Sequence, residues 1–335
     1  RLRELLKTLP AFAKDYFRAV EPTTSAKTRI SYAYDIRIFF RFLIEQNPVY
    51  KNYQVSDFKL SDLERVEAVD IEEYQEYLKV YRNPDEKQIT NTEKGLSRKM
   101  SALRSFYGYF FKRQIISKNP SLLVDMPKLH EKAIIRLDTD EIASLLDFVE
   151  HGGDELTGQK KVYYEKTKNR DLAIITLLLG TGIRVSECVG LDIEDVDFKN
   201  NRIKIIRKGG KEDFVYFGDE VAEALSGYLR VREHIITKEG HEHALFLSSQ
   251  RRRICVKSVE ILVTDCAKQI TTIKHITPHK LRSTYGTSLY RETRDIYLVA
   301  EVLGHNDVNT TRKHYTALGE DRKRQAASAV TLRKE

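Results

Sequence analysis

Two X-Pro steps and the charged run behind them constrain this chain more than any other feature. Asn119-Pro120 and Met126-Pro127 resist helix continuation, because each proline removes an N–H donor and turns the preceding residue away from the α region. The stretch from Lys128 to Arg136 is charged and has no apolar period. A linker is therefore placed at 123–136, between a first domain at 1–122 and a second at 137–335. A length of 335 residues suits two cores better than one.

Up to about residue 118 the pattern is helical only. Thr23-Thr24-Ser25 offers caps for a segment in which Tyr32, Ile36, Phe39, Phe40 and Leu43 recur at helical spacing, and Leu96, Met100, Leu103, Phe106, Tyr107 and Phe110 repeat that spacing. Lys27, Arg29, Arg37, Arg98, Lys99 and Arg104 accompany these stripes and are expected on an exposed basic face able to meet phosphates. The second domain opens at Asp138, with Glu141 completing a capping box. Helices are expected at 170–180, 184–190, 219–237, 257–270, 278–291, 295–303 and 308–317, with a charged tail helix from about 320. Residues 202–206 and 213–217 are expected as strands joined across Gly209-Gly210. Residues 151–168 are polar and contain Gly152-Gly153, so a flexible insertion is expected there. The fold class is mainly α with a small antiparallel sheet.

Lys and Arg outnumber Asp and Glu by 57 to 49, a net charge of +8 that suits a polyanionic partner. No apolar run approaches the roughly 18 residues of a membrane span, so no membrane anchor is expected. Cys188, Cys255 and Cys266 form no C-x-x-C pair, which points to a reducing cytoplasm and neither a disulfide framework nor a zinc site. There is no H-E-x-x-H, no carboxylate cluster with metal spacing and no P-loop, so no metal or nucleotide cofactor is expected. His241 and His243 read as a surface pair in a charged loop. The chain begins at Arg1 rather than Met, compatible with a start inside a longer gene product.

The chemistry concentrates in the second domain. Arg184 follows Thr181-Gly182, and Glu187 lies three residues on; Arg282 shares a helix face with His279, just after Thr277-Pro278. Arginine is the side chain for clamping a phosphate, because its planar fork donates two parallel hydrogen bonds and keeps its charge. Lys208 sits beside the Gly209-Gly210 turn, with Lys211 as the competing candidate. Leu303-Gly304-His305 closes one helix, and Tyr315 lies on the next among Arg312, Lys313 and His314. A free phenol has a pKa near 10, so only on the order of 0.1% is ionised at neutral pH. Nearby cations lower the cost of the phenolate and of the crowded charge in a phosphoryl-transfer transition state. The set can hold one phosphodiester and attack it with a phenol.

Arg184, Lys208, His279, Arg282, His305 and Tyr315, in that order, resemble the active site of the tyrosine recombinase (phage integrase) family. The segments 168–175, 182–187, 207–211 and 277–282 look like the Xer branch, and the helical first half resembles the family's core-binding domain. Many members carry His-Thr after the second arginine, where this chain has Ser283-Thr284, and many Xer proteins space the last histidine and tyrosine nine apart rather than ten.

The resemblance implies a C-shaped clamp of two domains around duplex DNA, a helical core-binding domain and a mixed α/β catalytic domain, with four protomers joining two sites. Arg184 and Arg282 would hold the non-bridging oxygens, His279 and His305 would complete the pocket, Lys208 would protonate the departing 5′ oxygen, and Tyr315 would become linked to the 3′ phosphate. Glu187 would orient the pocket. The tail from Glu320 would dock on a neighbouring catalytic domain. Lys27, Arg29, Arg98, Lys99, Arg104, Lys211, Arg251 and Arg252 are the expected DNA contacts. Chromosome dimer resolution and integration or excision of a mobile element would use the same site, in the cytoplasm at the nucleoid, with any accessory protein left open. Two alternatives use the same scaffold: relaxation of DNA in the manner of a type IB topoisomerase, and a silent DNA-binding regulator.

Overall fold

The computed structural model describes residues 1–130, 135–154, 156–207, 209–304 and 308. The chain forms two compact units, Arg1–Lys132 and Ala133–Glu335.

The first unit is built from α1 (Leu2–Leu6), α2 (Ala13–Ala19), α3 (Ala26–Gln46), α4 (Leu60–Arg65), α5 (Ala68–Tyr77), a hairpin of β1 (Val80–Arg82) and β2 (Gln88–Thr90), and α6 (Glu93–Lys112). Ser25 caps α3, its hydroxyl accepting from the Thr28 N–H at 3.1 Å, and Thr92 caps α6 in the same way. The apolar stripes of α3 and α6 face each other around an aromatic core. Tyr16 meets Phe106 edge to face at 5.2 Å between centroids, and Phe12 meets Phe110 at 5.6 Å. The all-helical expectation for this region is corrected by the β1–β2 hairpin, in which Val80 pairs with Thr90 and Arg82 with Gln88. Its turn, Asn83-Pro84-Asp85, is organised by Asn83 Oδ1, which accepts from the Asp85 and Lys87 N–H groups.

Inside this core Asp35 is 2% exposed and its carboxylate binds the Arg98 guanidinium. Burial pushes the carboxyl up to about 6, against the pull of Arg98 and Lys99. The ordinary value is 3.8. Because the folded state holds this proton more tightly than the unfolded chain, the contribution to stability is complete below the ordinary value and is lost as pH rises through about 6. Asp35→Asn should therefore flatten the stability profile between about pH 4 and 6, removing a change on the order of 2 to 3 kcal/mol. Urea unfolding of both proteins across that range tests this, and parallel profiles would contradict it.

The second unit runs α7 (Thr139–His151), α8 (Gly158–Thr181), α9 (Val185–Gly190), β3 (Val196–Asp197), β4 (Arg202–Ile206), β5 (Glu212–Tyr216), α10 (Asp219–Arg232), α11 (Val256–Ile270), α12 (Pro278–Thr293) and α13 (Ile296–Leu303). The Asp138 N–H donates to Glu141 Oε2 at 2.8 Å, as the capping-box pattern requires. Helices α7, α10 and α12 pack around α8, whose residues 173–175, 177 and 178 are fully buried. The sheet order is β3-β4-β5, all antiparallel, with Ile203 opposite Val215 and Ile205 opposite Asp213. One expectation is corrected here: from Gly158 onward the polar segment is the first half of α8 rather than a flexible insertion. Tyr164 fastens it to the end of α7, its hydroxyl donating to the Val149 carbonyl at 3.0 Å. Helix α10 also stops at Arg232, short of the expected 237. The Arg232 guanidinium turns back to the Glu242 and Ala244 carbonyls.

Candidate phosphate-binding site

Three chain breaks meet in the second unit, and the site is made from them. Helix α8 ends at Gly182, which takes φ +62 as a left-handed cap while its N–H donates to Leu178 O. A Cβ at 182 would collide with the Tyr285 ring and lie 3.0 Å from Leu303 Cδ2, so only glycine lets these elements close together. Two residues later Arg184 stands at the N-terminus of α9. Its N–H donates to Glu187 Oε2 at 2.7 Å and its Nη1 to Glu187 Oε1 at 2.8 Å. Glu187 is almost wholly buried, so the pair fixes the arginine from both ends.

Helix α12 begins with Pro278 in the first turn, where a missing N–H costs nothing. His279 is exposed, and Arg282, three residues on along the same face, is 5% exposed. Arg282 Nη1 donates to Gly182 O at 2.6 Å and its Nη2 to Leu303 O. Arg184 Nη2 donates to Gly304 O at 3.2 Å. The two guanidiniums therefore converge on successive carbonyls at the C-terminal end of α13, where the helix dipole adds negative potential. Gly304 itself is left-handed at φ +58 and directly precedes His305 in sequence. His279, Thr277 and Val185 share one cleft of about 520 Å³, so the exposed histidine borders the start of α9.

Of the residues singled out by sequence, Arg184, Glu187 and Arg282 are thus brought together, with His279 at their edge. Lys208, His305 and Tyr315 lie outside the described residues. Thr284, at a position where the family resemblance is broken one residue earlier by Ser283, accepts from the Leu137 N–H at 3.0 Å and so ties α12 to the segment entering α7. Arg170 and Asp171, bonded at 2.8 Å, are a buried structural pair; Arg170 also reaches Leu247 O at 3.0 Å and holds α8 to that loop.

The expected basic face is corrected at three positions. Lys99 is buried, with its ammonium on Asn91 Oδ1 at 2.7 Å and its pKa lowered by burial. Arg104 is turned onto main chain, donating to the Ser121 and Val124 carbonyls. Arg29 keeps only 12% of its side chain exposed and is occupied by Glu21. Lys27, Arg98, Lys211, Arg251 and Arg252 are exposed, although Arg98 is paired with Asp35. Arg251 and Arg252 ride a tight turn in which the Arg251 N–H donates to Ser248 O at 2.8 Å.

Sequence reasoning passed over Arg207. The alternation of buried Ile203 and Ile205 along β4 continues to position 207, so an inward arginine was signalled there by period two. Its side chain is 8% exposed and joins the same cluster, with Nη2 donating to Val302 O at 2.9 Å and Nε to Asp213 Oδ2 at 3.0 Å.

The phage integrase family profile matches residues 136–322. The chain is 34% identical to the protein called tyrosine recombinase XerC of Caldanaerobacter subterraneus subsp. tengcongensis, covering 99% of this chain and 90% of that one. It is 31% identical to tyrosine recombinase XerS of Streptococcus equi subsp. equi, covering 97% of each. Among solved structures, the Tn1549 transposon integrase in complex with transposon right end DNA is similar in fold, with a TM-score of 0.67 at 19% identity over 94% of this chain and 98% of that one. The XerH site-specific recombinase bound to palindromic difH substrate gives a TM-score of 0.66 at 20% identity, over 90% of this chain and 79% of that one.

Proposed function

This chain belongs to the phage integrase family of tyrosine recombinases, Xer-like in kind, and from that premise we propose how its residues carry out site-specific recombination. The carrying observation is the convergence of Arg184 and Arg282 on the end of α13. Two guanidiniums held on rigid helix starts make a fork for the two non-bridging oxygens of one phosphodiester. In this reading His279 and His305 complete the pocket, and Glu187 keeps Arg184 in register. The phenol of Tyr315 attacks phosphorus, forming an Oη–P bond and losing its proton to solvent. The P–O5′ bond breaks, and O5′ takes a proton from Lys208. Lys211 is the other lysine of the turn and keeps its place as the competing donor.

The phosphotyrosine conserves the energy of the broken bond, so the 5′ hydroxyl of a second duplex can attack it and complete strand exchange. Duplex DNA is the partner, two sites per reaction, in a homotetramer joined by exchange of the tail from about residue 320. The XerH complex with difH substrate and the Tn1549 integrase complex with transposon right end DNA support duplex DNA as the partner. The helical first unit acts as the core-binding domain, and Lys27, Lys211, Arg251 and Arg252 are the exposed cations offered to the backbone. The cytoplasm, at the nucleoid, is the place of action.

Side-chain cations supply all the charge stabilisation in this scheme. Recombination of a plasmid carrying two sites should therefore proceed at an unchanged rate in excess EDTA and without ATP. Binding should weaken steeply with salt, with a log–log slope of about −0.9 for every phosphate neutralised. Abolition of recombination by chelator, or a flat salt dependence, would contradict the scheme. Persistent relaxation of supercoils by monomers, without exchange, would favour a topoisomerase instead.

A further inference from the structure

Arg207 stands outside the catalytic set, yet it ties three parts of the site together. Its main chain closes the turn between β4 and β5: the N–H donates to Lys211 O at 2.8 Å, and the carbonyl accepts from the Gly210 N–H at 3.1 Å. Its side chain leaves that turn for the interior. Nε donates to Asp213 Oδ2 at 3.0 Å, Nη2 to Val302 O at 2.9 Å and Nη1 to Leu303 O at 3.4 Å, while Nη1 lies 3.5 Å from Glu187 Oε2. One guanidinium thus joins the turn that contains Lys208, the carboxylate that holds Arg184, and the helix end that precedes His305. A Cβ on Gly304 would come within 2.7 Å of Arg207 Cζ, so the absence of a side chain at 304 is what admits the arginine.

Beyond the β4–β5 ladder, the two glycines of the turn supply no side chain to hold it. Gly209 and Gly210 take φ +94 and +82, and a Cβ on either would meet nothing within 4 Å. Two such residues give the tip wide backbone freedom, so its position is decided by its anchor. Arginine suits the anchor because its planar fork reaches carbonyls and carboxylates in different directions at once; a lysine ammonium is a single point and cannot.

We propose that Arg207 is a positioning residue for leaving-group protonation: it holds the β4–β5 turn against the end of α13 so that Lys208 meets the departing 5′ oxygen. This rests on the proton-donor role given to Lys208 above. The step it serves is the breaking of the P–O5′ bond, in which the electron pair goes to O5′ and a proton follows from Lys208 Nζ.

The test uses two nicked duplexes of identical sequence, one with oxygen and one with sulfur at the bridging 5′ position of the scissile phosphate. A thiolate leaves without a proton, so it bypasses the donor. With the full chain, Arg207→Ala should cleave the oxygen substrate about 100-fold more slowly than the parent, the lower end expected for loss of a general acid. On the sulfur substrate it should match the parent within about threefold, and bind DNA equally well. Arg207→Lys should lose about tenfold on oxygen only, and it decides the matter if the alanine variant does not fold. Equal losses on both substrates would assign Arg207 a purely structural role, and no loss on oxygen would remove any role; either overturns the proposal. A parent that forms no adduct on either substrate would instead bring down the functional reading itself, and this assignment with it.

Discussion

Arg282→Ala should lower the single-turnover rate of strand cleavage by about a thousandfold, equivalent to about 4 kcal/mol of lost transition-state stabilisation. The side chain is 5% exposed and donates to the Gly182 and Leu303 carbonyls, so its loss also takes a donor from the Gly182 carbonyl and leaves the Leu303 carbonyl with the longer bond from Arg207. A melting-temperature decrease is expected alongside the catalytic effect, since an unsatisfied buried carbonyl costs about 1 to 3 kcal/mol. The two effects separate if cleavage is measured well below the melting transition at saturating protein. A variant that stays folded and binds DNA, yet cleaves within tenfold of the parent, would remove Arg282 from the phosphate fork. The thousandfold figure exceeds what a loosened helix end alone would cost, because a developing negative charge in a low-dielectric site depends strongly on each donor aimed at it.

Tyr315→Phe should abolish covalent adduct formation altogether while leaving DNA affinity within about twofold, a rate loss of at least about ten-thousandfold. The hydroxyl is the bond-forming atom, and phenylalanine keeps the ring but removes the nucleophile. A nicked duplex traps the intermediate, because the short fragment beyond the break diffuses away and cannot religate. Adduct formed by the phenylalanine variant would mean that another tyrosine attacks. Tyr285, Tyr290 and Tyr297 are the candidates near in sequence; Tyr290 is buried in the small core of α12 and α13, and burial raises the pKa of Tyr285, which disfavours the phenolate that attack requires.

The sequence patterns that proved legible were those in which local spacing and tertiary packing agree. The stripe Leu96, Met100, Leu103, Phe106, Tyr107 and Phe110 is buried along α6, and Asp138 with Glu141 starts α7. Arg184 and Arg282 could be paired from sequence only through resemblance, since spacing does not show that the first turns of α9 and α12 meet at the C-terminal ends of α8 and α13. The β1–β2 hairpin escaped notice because its three-residue strands are broken by Asn83-Pro84-Asp85 and carry no alternating apolar run. The first half of α8 was obscured by lysines and Gly158, and it is held as helix by Tyr164 and by continuity with the buried second half. Lys99 sits three residues after Leu96 and four before Leu103, on the apolar side of α6, so its position buries it although its charge suggests an exposed face. Arg207 was hidden for the same reason, a charged residue at an inward step of a strand.

These assignments meet at one covalent bond. The most direct test is to bind the protein to nicked duplexes carrying a site selected for binding, in EDTA, and digest the denatured complex. The peptide left on the 3′ phosphate is then identified by mass spectrometry. Attachment at Tyr315 is the expected result, and DNA joined to any other residue, or no covalent complex on a site the protein binds, would contradict it.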